Sequence, residues 1–107
     1  MARDERFELG DLTFVWNTSK NRKNVEMHGI TFDEAATSWL DPLAVEAFDD
    51  EHSSSEDRWF RIGTTLRGAL VVTWWTARTG RGKDLIRIIG ARRATRRERR
   101  IHEEQEF

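Results

Sequence analysis

A chain of 107 residues is sized for one domain with a single modest core. Hydrophobic residues make up 37% and charged residues 35%, so the five Trp and six Phe must supply much of the buried area. The absence of cysteine excludes a disulfide framework and a thiolate metal site, no apolar run approaches a membrane span, and a formal net charge of −1 gives no overall bias toward a polyanion.

Residues 1–11, which open MARDER, are polar and expected to be loose, with no signal-peptide pattern. Leu12 to Trp16 is a short apolar run that predicts a first strand. Asn17 can cap a helix over Thr18 to Met27, and Gly29 is its natural stop. Thr31-Phe-Asp-Glu34 fits a capping box, and Phe32, Ala35, Ala36, Trp39 and Leu40 recur at helical spacing. Asp41-Pro42 ends that second helix, since the residue before proline avoids helical dihedrals. Leu43 to Phe48 is strand-like, and Asp49 to Asp57 (DDEHSSSED) is a polar, acidic loop.

Trp59 to Thr64 alternates, with Phe60 and Ile62 on one face and Trp59 and Arg61 on the other. Arg67-Gly68 marks a turn, and Ala69 to Ala77 is apolar on both faces, as in a central strand. Thr79 to Lys83 reads as a hairpin loop. Leu85 to Gly90 is a further strand, with Ile86 and Ile88 opposite Arg87. Thr95-Arg-Arg-Glu98 is a second capping box, opening a helix from Arg96 toward Glu104. The order β-α-α-β-β-β-β-α predicts a single α+β domain over 1–107. Its sheet should be mostly antiparallel, with two N-terminal helices on one face and a C-terminal helix. The uncovered face is then expected to present Arg61 and Arg87 together.

Charge is segregated along this order. Residues 1–57 carry 5 Lys+Arg against 14 Asp+Glu, a net of −9, and residues 58–107 carry 13 against 5, a net of +8. Arg87 to Arg100 alone holds seven arginines and one acid, Glu98. Guanidinium groups match phosphate geometry and stay charged at any relevant pH, so this stretch points to a polyanion. Either the acidic half folds against the basic half, or it keeps nonspecific nucleic acid away from all but one surface. Three scattered histidines lack zinc-ligand spacing, and no phosphate-loop or nucleophile-elbow pattern occurs. No metal or other cofactor is expected.

Three ordered motifs resemble one known family. They are W-N-x-x-K-x-x-x-N-x-x-x-H-G-I-x-F-x-E-A from Trp16 to Ala35, D-x-x-H-S-x-x-E-x-R-x-x-x-I-G from Asp49 to Gly63, and R-I-I-G-A-R-R-A-T-R-R-E-R-R from Arg87 to Arg100. They are similar to the BrnT-type ribonuclease toxins of bacterial type II toxin–antitoxin systems. The resemblance implies a RelE-like α+β fold, metal-independent RNA cleavage that inhibits translation, and neutralisation by a BrnA-type antitoxin; the lack of an apolar span and of a signal-peptide pattern gives the expectation of a cytoplasmic protein. It also implies a heterotetramer that binds operator DNA through the antitoxin. The chain departs from the pattern at Met27, where the family usually has lysine, at Gly90, usually serine, and at Trp75, commonly tyrosine or histidine. These departures leave an alternative open: an impaired homologue that binds antitoxin or RNA without cleaving.

Cleavage through the ribose 2′-OH needs a proton acceptor, a proton donor and cations around the transition state. Arginine fills only the last role. The candidates for proton transfer are Lys20, His28, His52 and Glu56, with Arg58 and Arg78 as cations of the catalytic set. Arg61, Arg87, Arg92, Arg93 and Arg96 are the candidate phosphate ligands. Each has a plain structural reading beside the functional one. His28 can cap helical carbonyls, His52 and Lys20 can be merely solvated, Glu56 and Arg58 can form an ion pair, and about half of the arginines can pair with the acidic half. His102 is expected to be exposed and inert. Trp59, Trp74 and Trp75 can stack bases but are read first as core.

Overall fold

In a computed structural model that describes residues 3–80 and 83–107, six strands form one mixed sheet with helices packed around it. The elements are β1 (Asp4–Leu9), β2 (Leu12–Asn17), α1 (Thr18–His28), α2 (Phe32–Ala36), β3 (Val45–Phe48), β4 (Trp59–Thr64), β5 (Leu70–Gly80), β6 (Lys83–Arg93) and α3 (Arg96–Glu104). The strand order is β1-β2-β6-β5-β4-β3.

Two expectations are corrected. The segment read as a loose N-terminus contains β1, which pairs antiparallel with β2 from Asp4↔Asn17 to Leu9↔Leu12 across a Gly10-Asp11 turn. Gly10 supplies the positive φ of 60° that this turn requires. The sheet is also not antiparallel throughout, because β2 runs parallel to β6 at Thr13↔Leu85, Phe14↔Ile86 and Val15↔Arg87. The β5–β6 hairpin forms as expected, although its strands extend to Gly80 and from Lys83. Residues 81 and 82 of the expected loop lie outside the described residues.

Local signals set the helix ends. Asn17 accepts from the Ser19 and Lys20 N–H groups, and Gly29 closes α1 at φ 70°. Thr31 accepts from Glu34 N–H, but α2 is a single short helix that tightens into a 3-10 turn over Thr37–Leu40. Thr95 and Glu98 form the full capping box of α3.

Both sheet faces carry a core. On the first, Phe14, Trp16, Val71, Ile86, Ile88 and Ala91 pack under Ile30, Phe32, Ala35 and Ala36. Fully buried rings such as Phe14 and Phe32 each contribute about 1.5–3 kcal/mol. The cover comes from α2 and its approaches rather than from two apolar helical stripes, because Asn24 is the buried residue of α1. Asn24 donates to the Ile30 carbonyl at 2.8 Å and accepts from Ala91 N–H at 3.1 Å, satisfying β6 beyond its pairing with β2. On the second face, Ile62, Leu70 and Val72 pack with Val45, Phe60, Trp74 and Ile101 of α3. The expected open face is therefore covered by α3 over its β4 side.

Candidate functional site

The acidic loop after β3 is held shut by one hydroxyl. Ser53 Oγ donates to the Asp49 carbonyl at 2.6 Å and accepts from Arg58 N–H at 3.0 Å. Asp49 N–H donates to the Arg58 carbonyl at 2.8 Å, extending the β3–β4 ladder by one bond. The loop is thus pinned at both ends, and Asp49, His52 and Arg58 line one place on the second sheet face.

That place is a cavity of about 250 Å³ lined by Asp49, His52, Arg58, Trp74, Ile89 and Gly90. Its floor lies where β6 bulges. The register steps from Trp74↔Gly90 to Trp75↔Ile88, leaving Ile89 as the extra residue. Asp49 is buried and its Oδ2 accepts from His52 Nδ1 at 2.9 Å. With a carboxylate oxygen as the acceptor, Nδ1 is the donor of this bond. His52 is 60% exposed, so the ring is held from behind and open in front. Arg58 shares the cavity; its Nε is buried without a partner, and no carboxylate lies within ion-pair distance among the described residues.

Further arginines emerge on the same face. Arg87 lies opposite Thr76, and Arg78 one alternate position along β5. Arg87 makes two hydrogen bonds to Asp4, at 2.7 and 3.3 Å. That contact lowers the Asp4 pKa and raises that of Arg87, while Arg78 acts further on Asp4 and Glu56 on Arg87. Arg92 stacks over Trp74 at 5.1 Å and binds both oxygens of Glu98, at 2.6 and 2.8 Å. The Arg92 hydrogen bond holds the Glu98 carboxyl below its usual range against the opposing effect of burial.

The sequence-predicted residues therefore divide. His52 and Arg58 line one cavity, Arg78 and Arg87 lie on the same sheet face, and Glu56 acts electrostatically on Arg87. Lys20 and His28 are exposed on α1 and do not line the cavity. Arg93, the last residue of β6, and Arg96, the first of α3, are exposed and also outside it.

Arg61 does not share a face with Arg87. It lies opposite Thr73, which pairs with core residue Ala91, so it points to the first face. There its side chain is 12% exposed, stacks on Trp39 at 4.9 Å, donates to the Ser38 carbonyl and pairs with Glu46 at 3.3 Å. The Glu56–Arg58 ion pair that the sequence allowed is not found among the described residues; β4 starts only at Trp59, so the two do not share a strand. Arg61–Glu46 and Arg87–Asp4 join basic to acidic halves, so the acidic half does fold partly against the basic one. Arg61, Arg87 and Arg92 each already have a carboxylate, which leaves Arg58 as the ready cation beside His52.

His102 is not exposed: its side chain is 14% accessible. Its Nε2 donates to Asp41 Oδ2 at 2.9 Å, tying α3 to the turn before β3. Burial pushes the Asp41 carboxyl up, but hydrogen bonds from Thr64 N–H, Leu43 N–H and His102 outweigh it and its pKa falls. Trp59 and Trp75 stack on each other, with Trp75 against the first core, which agrees with the packing reading. The residues that sequence reasoning passed over are Asp49 and Ser53. The signal was present in the D-x-x-H-S spacing, which lets a carboxylate reach the imidazole within one 3-10 turn.

Among the described residues no group of three or more His, Asp or Glu could hold a metal ion, and no helix is long and apolar enough to cross a membrane. No curated protein matches the chain. A family model described as "Ribonuclease toxin, BrnT, of type II toxin-antitoxin system" matches residues 16–98, from the end of β2 to the first turn of α3. That stretch contains the loop, the bulge and every residue lining the His52 cavity, and the chain belongs to the BrnT family of ribonuclease toxins.

Proposed function

We propose that this chain is a metal-independent endoribonuclease that inhibits translation, with its active site at the His52 cavity. The observation that carries the reading is the Asp49–His52 hydrogen bond, made in a cavity that Arg58 also lines. The ribose 2′-oxygen attacks the adjacent phosphorus and loses its proton, the bond to the 5′-oxygen breaks, and that oxygen takes up a proton. His52 and Glu56 are the two proton carriers. Arg58 balances charge on the transition state, with Arg78 and Arg87 along the approaching backbone. Lys20 and His28 take no part.

Met27 is 75% exposed and does not line the cavity, so its replacement of lysine removes nothing from this site. A BrnA-type antitoxin that covers the arginine face would give binding that weakens with salt. The assembly is a heterotetramer whose antitoxin binds operator DNA, in a cytoplasmic setting. The test is purified protein on RNA with chelator present. The expected products carry 2′,3′-cyclic phosphate or 3′-phosphate ends, and His52→Ala should abolish them. Intact RNA with folded wild-type protein overturns the reading, as does cleavage undiminished in His52→Ala.

A further inference from the structure

β1 lies outside the stretch matched by the family, yet it places a carboxylate on an arginine inside it. Asp4 approaches Arg87 with both oxygens, at 2.7 and 3.3 Å, the fork geometry in which a guanidinium also takes two oxygens of a phosphate. The site around this carboxylate is cationic. Arg6, Val15, Arg87 and Thr76 form one row across β1, β2, β6 and β5, and cross-strand partners share a face. Arg78 lies on that face two residues beyond Thr76 and acts electrostatically on Asp4. Arg87 Nε and Thr76 Oγ1 are both buried without partners, so donor capacity remains at this point beyond what Asp4 uses.

Asp4 itself is half exposed, at the start of an edge strand, where a carboxylate can leave its partner without disturbing the core. We propose that Asp4 stands where an RNA phosphate binds, so that a phosphodiester must displace it from Arg87 before the backbone settles between Arg6, Arg78 and Arg87. β1 then acts as a built-in competitor that weakens the grip on RNA. The proposal rests on the reading of this face as the RNA-binding face.

Its test compares two variants that change net charge equally. Asp4→Asn removes the competitor. Glu5→Gln removes a charge from the other side of the same strand, opposite Trp16. Both are made in a His52→Ala background and titrated with a fluorescent single-stranded RNA across salt concentrations. Asp4→Asn is expected to tighten binding about three- to tenfold at low salt. It should also steepen the log–log salt slope by roughly 0.7, the value for one more phosphate contact on a single strand. Glu5→Gln should stay within twofold of its parent, and Arg6→Gln should weaken binding. Thermal melting within a few degrees of the parent shows that each variant is folded, and Asp4→Ser replaces Asp4→Asn if that variant is not. Equal affinities for Asp4→Asn and Glu5→Gln overturn this inference while leaving the ribonuclease reading intact. No RNA binding by any of the proteins overturns both.

Discussion

Replacing Asp49 by Asn isolates the one interaction on which the catalytic proposal depends. The substitution keeps shape and burial but removes the charge, and the amide can offer a donor to His52 Nδ1, favouring the wrong tautomer. A hydrogen bond to a charged group is worth about 1.5–3 kcal/mol, and the 60% exposure of His52 lets water compete, which selects the lower part of that range. At about 1.4 kcal/mol per tenfold, kcat should fall roughly ten- to thirtyfold, with KM little changed. The loop should survive, because Ser53 and Arg58 bond to the main chain of Asp49 and not to its carboxylate. Steady-state cleavage of a fluorogenic RNA, paired with thermal melting, reads both quantities. A folded Asp49→Asn protein with kcat within twofold of the parent would refute the role given to this dyad.

Arg61→Gln should leave RNA affinity within twofold but lower stability by about 1–3 kcal/mol, since it removes contacts to Trp39, Ser38 and Glu46 on the covered face; RNA titration and urea unfolding measure the two effects. Phe32→Ala, at a fully buried ring, should cost about 3–5 kcal/mol in the same unfolding assay. Acidification should destabilise the protein: Asp41 and Glu98 have lowered pKa values in the fold, so their contribution is full above the ordinary carboxylate values of 3.8 and 4.5 and is lost as pH falls through the lower folded values. Urea midpoints from pH 7 to pH 3 should show this loss, and Glu98→Gln should reduce it.

The caps at Asn17, Thr31 and Thr95 were legible because a cap involves residues two or three apart and little else. β1 was not, because DERFEL is rich in charge and becomes a strand only through pairing with β2. The Gly10-Asp11 pair between Leu9 and Leu12 was the available hairpin signal. Alternation within β4 and β6 is visible in the sequence, but alternation cannot say how two strands' faces correspond. Here both faces bury a core and β6 gains a residue at Ile89, so Arg61 and Arg87 part company although each opposes apolar neighbours. Within the candidate site, His52 and Arg58 were visible as residue types in a motif. Their meeting depends on Ser53 closing the loop, a contact between one side chain and backbone groups on either side of it that composition does not encode.

The parallel seam between β2 and β6 also dictates an order of assembly. Thr13 pairs with Leu85, a separation of 72 residues, while the neighbouring hairpins close over short spans. Closing so long a loop costs entropy before it returns any contact, so the seam is expected to form late and to limit the folding rate. Until β6 arrives, the β1–β2 hairpin has nothing to join, and neither the bulge at Ile89 nor Arg87 exists in the sheet. Strand β6 is consequently the last piece the sheet needs before the His52 cavity has a floor.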